Sequence, residues 1–262
     1  MRNMKKPAVK RQSVLFVTSL FFVVAVPFLA LRSNSHKNSF STFPAVTLWA
    51  WERPEDFHTF DPRLYAVAYL DQTITISDQA RGVPRQQPIR FADSTTVIAV
   101  VRIQAPTQFA MLDSPDLPGT VADLIVGSAR KPAVAALQID FDATRSQRAF
   151  YTRLLRDVRR RLPETMPLSI TALASWCGSD SWLEDLPIDE AVPMLFRMGE
   201  DPRSPRQPGW RYPIREPLCN ESIGVATDEP WPDIAAARRV YVFHPRSWDP
   251  QAAENVRKLV EK

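Results

Sequence analysis

The run Val134-Ala-Ala-Leu-Gln-Ile-Asp-Phe-Asp142 decides how this chain is read. Side chains alternate faces along a strand, so Gln138, Asp140 and Asp142 share one face while Leu137, Ile139 and Phe141 share the other. In a closed barrel the apolar face packs on surrounding helices and the polar row points inward. The two carboxylates then lie at the C-terminal end of the strand, where barrel active sites form. Like charges this close do not both ionise freely, so one is expected to hold its proton to higher pH, as a general acid requires. The structural alternative is an inward ion pair with Arg102 or Arg197 that only holds the barrel together.

Outward from this strand, seven further β-rich apolar runs recur: Val46–Trp51, Leu64–Asp71, Thr96–Gln104, Leu168–Trp176, Ala191–Met198, Ile223–Thr227 and Arg239–His244. Between several of them the apolar period becomes helical. Residues 144–162 place Phe150, Leu154, Leu155 and Val158 on one face, and residues 117–129 and 249–262 read as further helices. Shorter helical turns are expected at 181–186 and 232–237. Eight strands with interspersed helices predict a (β/α)8, TIM-like barrel over residues 44–262. It is irregular after strand two, because Thr73–Ile76 and Ile89–Phe91 read as extra strands. An open α/β sheet would usually carry a glycine-rich loop after the first strand, and residues 49–56 (WAWERPED) contain no glycine.

At the strand ends, Arg102 closes strand three and Arg197 strand six, each placed to bind a carboxylate or a substrate oxygen. Glu52, Asp71, Asp228 and Glu229 are candidates for a second catalytic carboxylate, and His244 ends strand eight. All seven tryptophans map to the same rim. Trp49 and Trp51 end strand one, Trp176 ends strand five, and Trp182, Trp210, Trp231 and Trp248 follow in loops. Flat indoles with a free N–H suit stacking on sugar faces. Packing of long loops against one another is the plainer use of such rings.

Ahead of the domain, residues 1–12 carry five basic side chains and no acid, and residues 13–31 run without a charge. That layout is a secretion signal or, at about the 20 residues that span a bilayer, a retained transmembrane anchor. Residues 32–43 read as a polar tether. The basic flank stays cytoplasmic, which places the domain outside: periplasmic or extracellular, tethered if the helix is kept and secreted if it is cut. The five leader cations exceed the whole excess of 33 Lys and Arg over 29 Asp and Glu, so the high isoelectric point is no signature of nucleic-acid binding. In an oxidising compartment Cys177 and Cys219 are expected to form a disulfide. His36, His58 and His244 are scattered, and neither metal nor cofactor is expected.

Together LWAW (48–51), LQIDFDA (137–143), LSITALASWC (168–177), VPMLFRMG (192–199) and GVATDEPW (224–231) resemble the bacterial family of domains of unknown function numbered 3142, over about residues 45–245. A more distant similarity is to family 18 glycoside hydrolases, which carry Asp-Gly-x-Asp-x-Asp-x-Glu on strand four and Met-x-Tyr-Asp on strand six. On that pattern Asp140 matches the last aspartate and Asp142 the glutamate acid, while 194–197 matches the strand-six motif. Ala135 and Gln138 replace two aspartates, Asp142 is one methylene shorter than the acid, and Phe196 and Arg197 replace the Tyr-Asp pair. A chitinase activity therefore does not carry over. The expectation is a glycosidase-like enzyme acting on an extracytoplasmic polysaccharide. Asp142 would be its general acid and Asp140 the partner, with Gln138, Arg102, Arg197, Trp49, Trp51 and Trp176 binding the sugar. The alternative is a non-catalytic glycan-binding or envelope-assembly protein on a degenerate barrel.

Overall fold

The computed structural model describes residues 40–107, 114–178, 180–199, 211–233 and 239–261. The leader, most of the tether, His36, Trp210 and most of the helical turn expected at 232–237 lie outside them. Among the described residues no helix is long and apolar enough to cross a membrane.

In chain order the strands are β1 Val46–Ala50, β2 Glu55–Phe57, β3 Tyr65–Ile76, β4 Ala80–Pro84, β5 Ile89–Phe91, β6 Thr96–Gln104, β7 Val134–Asp140, β8 Leu168–Leu173, β9 Glu190–Met194, β10 Ser222–Ala226 and β11 Arg239–Phe243. Eight of them, β1, β3, β6, β7, β8, β9, β10 and β11, close a parallel barrel in sequence order. Closure rests on β1, whose Leu48 lies opposite Val67 of β3 on one side and Val242 of β11 on the other. All eight expected runs are therefore barrel strands.

The irregularity begins one strand earlier than the sequence suggests. No helix separates β1 from β3, or β3 from β6. Instead β2 pairs with β5 in a short parallel ribbon, while β4 folds back antiparallel on the extended end of β3. Thr73–Ile76 proves to be the continuation of β3, beyond a bulge at Asp71, and Ile89–Phe91 is β5.

Helices cover the remaining crossovers where the sequence allows. In α1 (Leu117–Ala129) Pro118 starts the first turn, and Val121, Ala122, Ile125 and Val126 form the buried stripe. In α2 (Arg148–Arg161) Phe150, Tyr151, Leu154, Leu155 and Val158 are buried, each burial worth about 1.5–3 kcal/mol. After β8 the chain turns at once into the five-residue α3 (Ala174–Gly178). The last helix, α4 (Pro250–Val260), is capped by Asp249, whose carboxylate accepts the Ala252 amide at 2.8 Å.

Two apolar layers result. Leu48, Val67, Leu137 and Ile139 face the helices, whereas Trp49, Ala68, Ile98, Val100, Ala136 and Tyr241 fill the barrel interior. Phe40 closes the N-terminal end: its ring lies 5.1 Å from the Arg239 guanidinium, which also donates to its carbonyl at 3.3 Å. The interior is not wholly apolar. Trp49 Nε1 donates to Gln138 Oε1 at 2.9 Å, Gln138 Nε2 to Ser169 Oγ at 3.1 Å, and Ser169 Oγ to Glu190 Oε1 at 3.1 Å. Glu190 also accepts Tyr241 OH at 2.8 Å and is ion-paired with Arg239. This chain of side chains runs from the barrel base to the floor of its C-terminal mouth.

Candidate active site

At the C-terminal mouth the strand ends enclose a cavity of about 340 Å³, lined among others by Trp49, Trp51, Arg102, Asp140, Asp142, Thr171, Phe196, Arg197 and Phe243. Two wider hollows, of about 580 and 560 Å³, lie beside residues 211–214 and beside the Cys177–Cys219 bridge. The mouth is the one where strand-borne carboxylates, arginines and aromatic walls converge, the combination expected of a site.

Asp140 is the last residue of β7 and sits below the rim. It accepts Thr171 Oγ1 at 2.8 Å and faces Arg102 Nε at 3.9 Å. Asp142, two residues on, is exposed in the cleft. Burial, and then the charge of Asp142, push the Asp140 carboxyl up from 3.8 to about 6, against the lowering pull of Thr171 and Arg102. Burial also raises Asp142, with Arg102 opposing. Both carboxyls therefore hold a proton to higher pH than a free aspartate does, and at Asp140 the charge of Asp142 is part of the cause.

The aromatic walls are held from below. Trp49 is fixed by Gln138 and packs so tightly on Gly224 that a Cβ there would lie 3.0 Å from its ring. Its ring stands 6.2 Å from that of Phe196, which stacks on Phe243 at 5.7 Å. Trp51 lies half-buried under the Arg102 guanidinium, 5.4 Å from its centre.

Three expected sugar contacts need correction. Gln138 is fully buried, with its amide bonded to Trp49 and Ser169, so it supports the floor rather than touching a ligand. Trp176 is only 2% exposed and packs edge-on against Trp182 at 4.9 Å. Strand five ends at Leu173, and α3 carries Trp176 into the core. Arg197 lines the cleft, but its guanidinium is ion-paired with Asp228 at 2.6 Å and with Glu229. It holds a left-handed backbone at φ 52°. Its partners follow β10, so this triad ties two rim loops together.

The proposed extra carboxylates also lie elsewhere. Asp71 is buried, accepting Tyr69 OH at 2.7 Å and Lys131 Nζ at 2.5 Å, and Glu52 accepts the amides of Gln86 and Gln87, both at 2.9 Å. Among the described residues Asp140 and Asp142 are the only carboxylates lining the cleft. His244 is bound to Thr227 at 2.6 Å and lies against Trp248, and burial lowers its pKa. Trp248 and Trp231 spend their N–H groups on the carbonyls of Trp49 and Ala226, so they fasten loops. Thr171 and Phe243 also line the cleft without having been singled out by the sequence, although Thr171 shares the alternating inward row of β8 with Ser169. Phe196, the residue at the tyrosine position of the strand-six motif, lines it too. Cys177 and Cys219 form the disulfide, joining α3 to the 3-10 turn Pro217–Cys219. Among the described residues no group of three His, Cys, Asp or Glu side chains is placed to hold a metal ion.

No curated protein matches the chain. Among solved structures it is similar to the Bacillus cereus spore cortex-lytic enzyme SleL, with 16% identity and a TM-score of 0.45 over 71% of this chain and 52% of that one. It is also similar to the chitinase domain of the spore coat protein CotE from Clostridium difficile, with 15% identity and a TM-score of 0.42 over 67% and 57%. The chain thus spans little more than half the length of either structure. Residues 93–203, which carry β6 to β9 and both aspartates, match the family model of a domain of unknown function, DUF3142, the family its motifs resemble.

Proposed function

We propose that the barrel mouth binds a glycan and hydrolyses it by carboxylate acid–base chemistry. The observation that carries the reading is the Asp140–Asp142 pair, set in a cleft with tryptophan and phenylalanine walls. Asp142, the member exposed to a bound sugar, gives its proton to the glycosidic oxygen as that bond breaks. A water adds to the anomeric carbon, and the proton the water loses returns to the carboxylate pair. Asp140, pinned by Thr171 behind it, holds its own proton to about pH 6 and tunes its neighbour. Trp51, half-buried at the rim, gives the sugar rings an apolar platform, and the buried Trp49 forms the floor beneath it.

A location outside the cytoplasm and a membrane anchor through residues 13–31 belong to the same proposal. They rest on the leader sequence, and the Cys177–Cys219 disulfide suits an oxidising compartment.

A second reading, glycan binding without cleavage, draws on one specific observation: no carboxylate from another strand joins the pair in the cleft among the described residues. The test is an Asp142→Asn variant beside the wild type on a broad polysaccharide panel, read by reducing-end release and by binding. The hydrolase reading expects turnover to vanish and binding to stay. Wild-type binding with no release from any polymer leaves the binding protein.

A further inference from the structure

Several arginine forks among the described residues are filled. Arg197 holds Asp228 and Glu229, Arg239 holds Glu190 and the Phe40 carbonyl, and Arg85 donates to the carbonyls of Trp51, Arg53 and Gln87. Arg102 is different. Its side chain is 39% exposed into the cleft, its nearest anion is Asp140 at 3.9 Å, and that approach is by Nε. Among the described residues no acceptor lies within hydrogen-bond distance of its two terminal nitrogens. The guanidinium lies over the Trp51 ring, 5.4 Å from its centre.

A planar fork of N–H donors, set beside an aromatic platform and left empty, matches a carboxylate in geometry as well as in charge. Arg53 adds a second cation near the same wall, 6.0 Å from the Phe243 ring, and among the described residues its ion pair is a 3.9 Å contact with Glu55. Resting on the glycan reading of this cleft, we infer that its ligand is an acidic glycan, whose sugar carboxylate docks on the terminal nitrogens of Arg102 while a ring stacks at Trp51. A neutral sugar would leave a desolvated arginine fork satisfied only by hydroxyls. When Asp140 carries its proton, one of the two nearby negative charges that offset Arg102 is gone, so the demand for an external anion rises.

The test uses calorimetric titration of the full protein with oligomers of polygalacturonate, glucuronan and alginate, each beside its carboxyl-reduced counterpart. A charge-assisted bidentate contact of this kind predicts at least one acidic oligomer bound about tenfold or more tighter than its reduced form. Arg102→Gln should bring the two within about threefold of each other, and Arg102→Lys, which keeps the charge without the fork, should retain part of the preference. Thermal unfolding checks that both variants are folded. Equal wild-type affinity for acidic and reduced oligomers, or a preference that survives Arg102→Gln, overturns the acidic-glycan inference and leaves the glycan reading standing. Binding to neither set, with no binding to neutral polysaccharides either, removes the glycan reading and this inference with it.

Discussion

The indole N–H of Trp49 donates to the side-chain oxygen of Gln138 at 2.9 Å, so the floor of the cleft is fastened to a polar chain that reaches the barrel base. Gln138→Leu keeps the volume but leaves that N–H and the Ser169 hydroxyl short of a partner, a loss of about 1–3 kcal/mol. Urea unfolding measures the loss. The same variant should weaken glycan binding, since a loosened Trp49 no longer offers a fixed floor. An unchanged unfolding midpoint would show that the bond carries no weight.

Asp140 holds its proton more tightly folded, at about 6, than at its ordinary 3.8. Between those values the folded state binds the extra proton, so stability falls as pH rises through that window and the full penalty applies above it. Asp140→Asn removes the penalty. It should stabilise the protein by on the order of 1–3 kcal/mol at pH 7–8 and leave it unchanged near pH 3, while hydrolysis is lost. Thermal unfolding at the two pH values checks both the sign and the window.

The same group sets the pH profile of turnover. Activity should decline as pH rises through about 6, where Asp140 gives up its proton. Asp142→Asn removes the neighbouring charge and so lowers the Asp140 pKa, which carbon-detected titration of the side-chain carboxyl can follow. A wild-type activity limb that does not coincide with the titration of the Asp140 carboxyl would assign the proton to another group.

The Cys177–Cys219 disulfide closes a segment of 42 residues, and neither cysteine lines the cleft. Replacing both with serine should cost about 2–5 kcal/mol, seen as a lower unfolding midpoint. Glycan affinity of the folded variant should remain. A matching loss of affinity would mean that the bridge also shapes the mouth.

The barrel was legible because its signals are local. The apolar alternation of residues 134–140 and the 3.6-residue period of residues 148–161 each report a face that must be buried, and the faces agree on one architecture. Asp140 and Arg102 were legible for the same reason, being strand residues whose direction follows from parity, and Asp142 lies two residues beyond the end of β7. What failed depends on depth or on distant partners. Parity put Gln138 inside but not below the floor. Trp176 was lost because the backbone leaves β8 at Leu173 and parity ends with it. Arg197 was read as available because Asp228 and Glu229 are 31 and 32 residues away and meet it only through β10. The β2–β5 ribbon is too short for its three-residue strands to announce themselves.

The central claim, that a sugar lies across the aspartate pair, is tested most directly by a crystal structure of the Asp142→Asn variant soaked with the oligosaccharide that the wild type binds best. The account predicts a sugar ring over Trp51, with a glycosidic oxygen within about 3 Å of the residue 142 amide. A sugar bound elsewhere on the protein, with the mouth between Arg102 and Phe243 left empty, would contradict it.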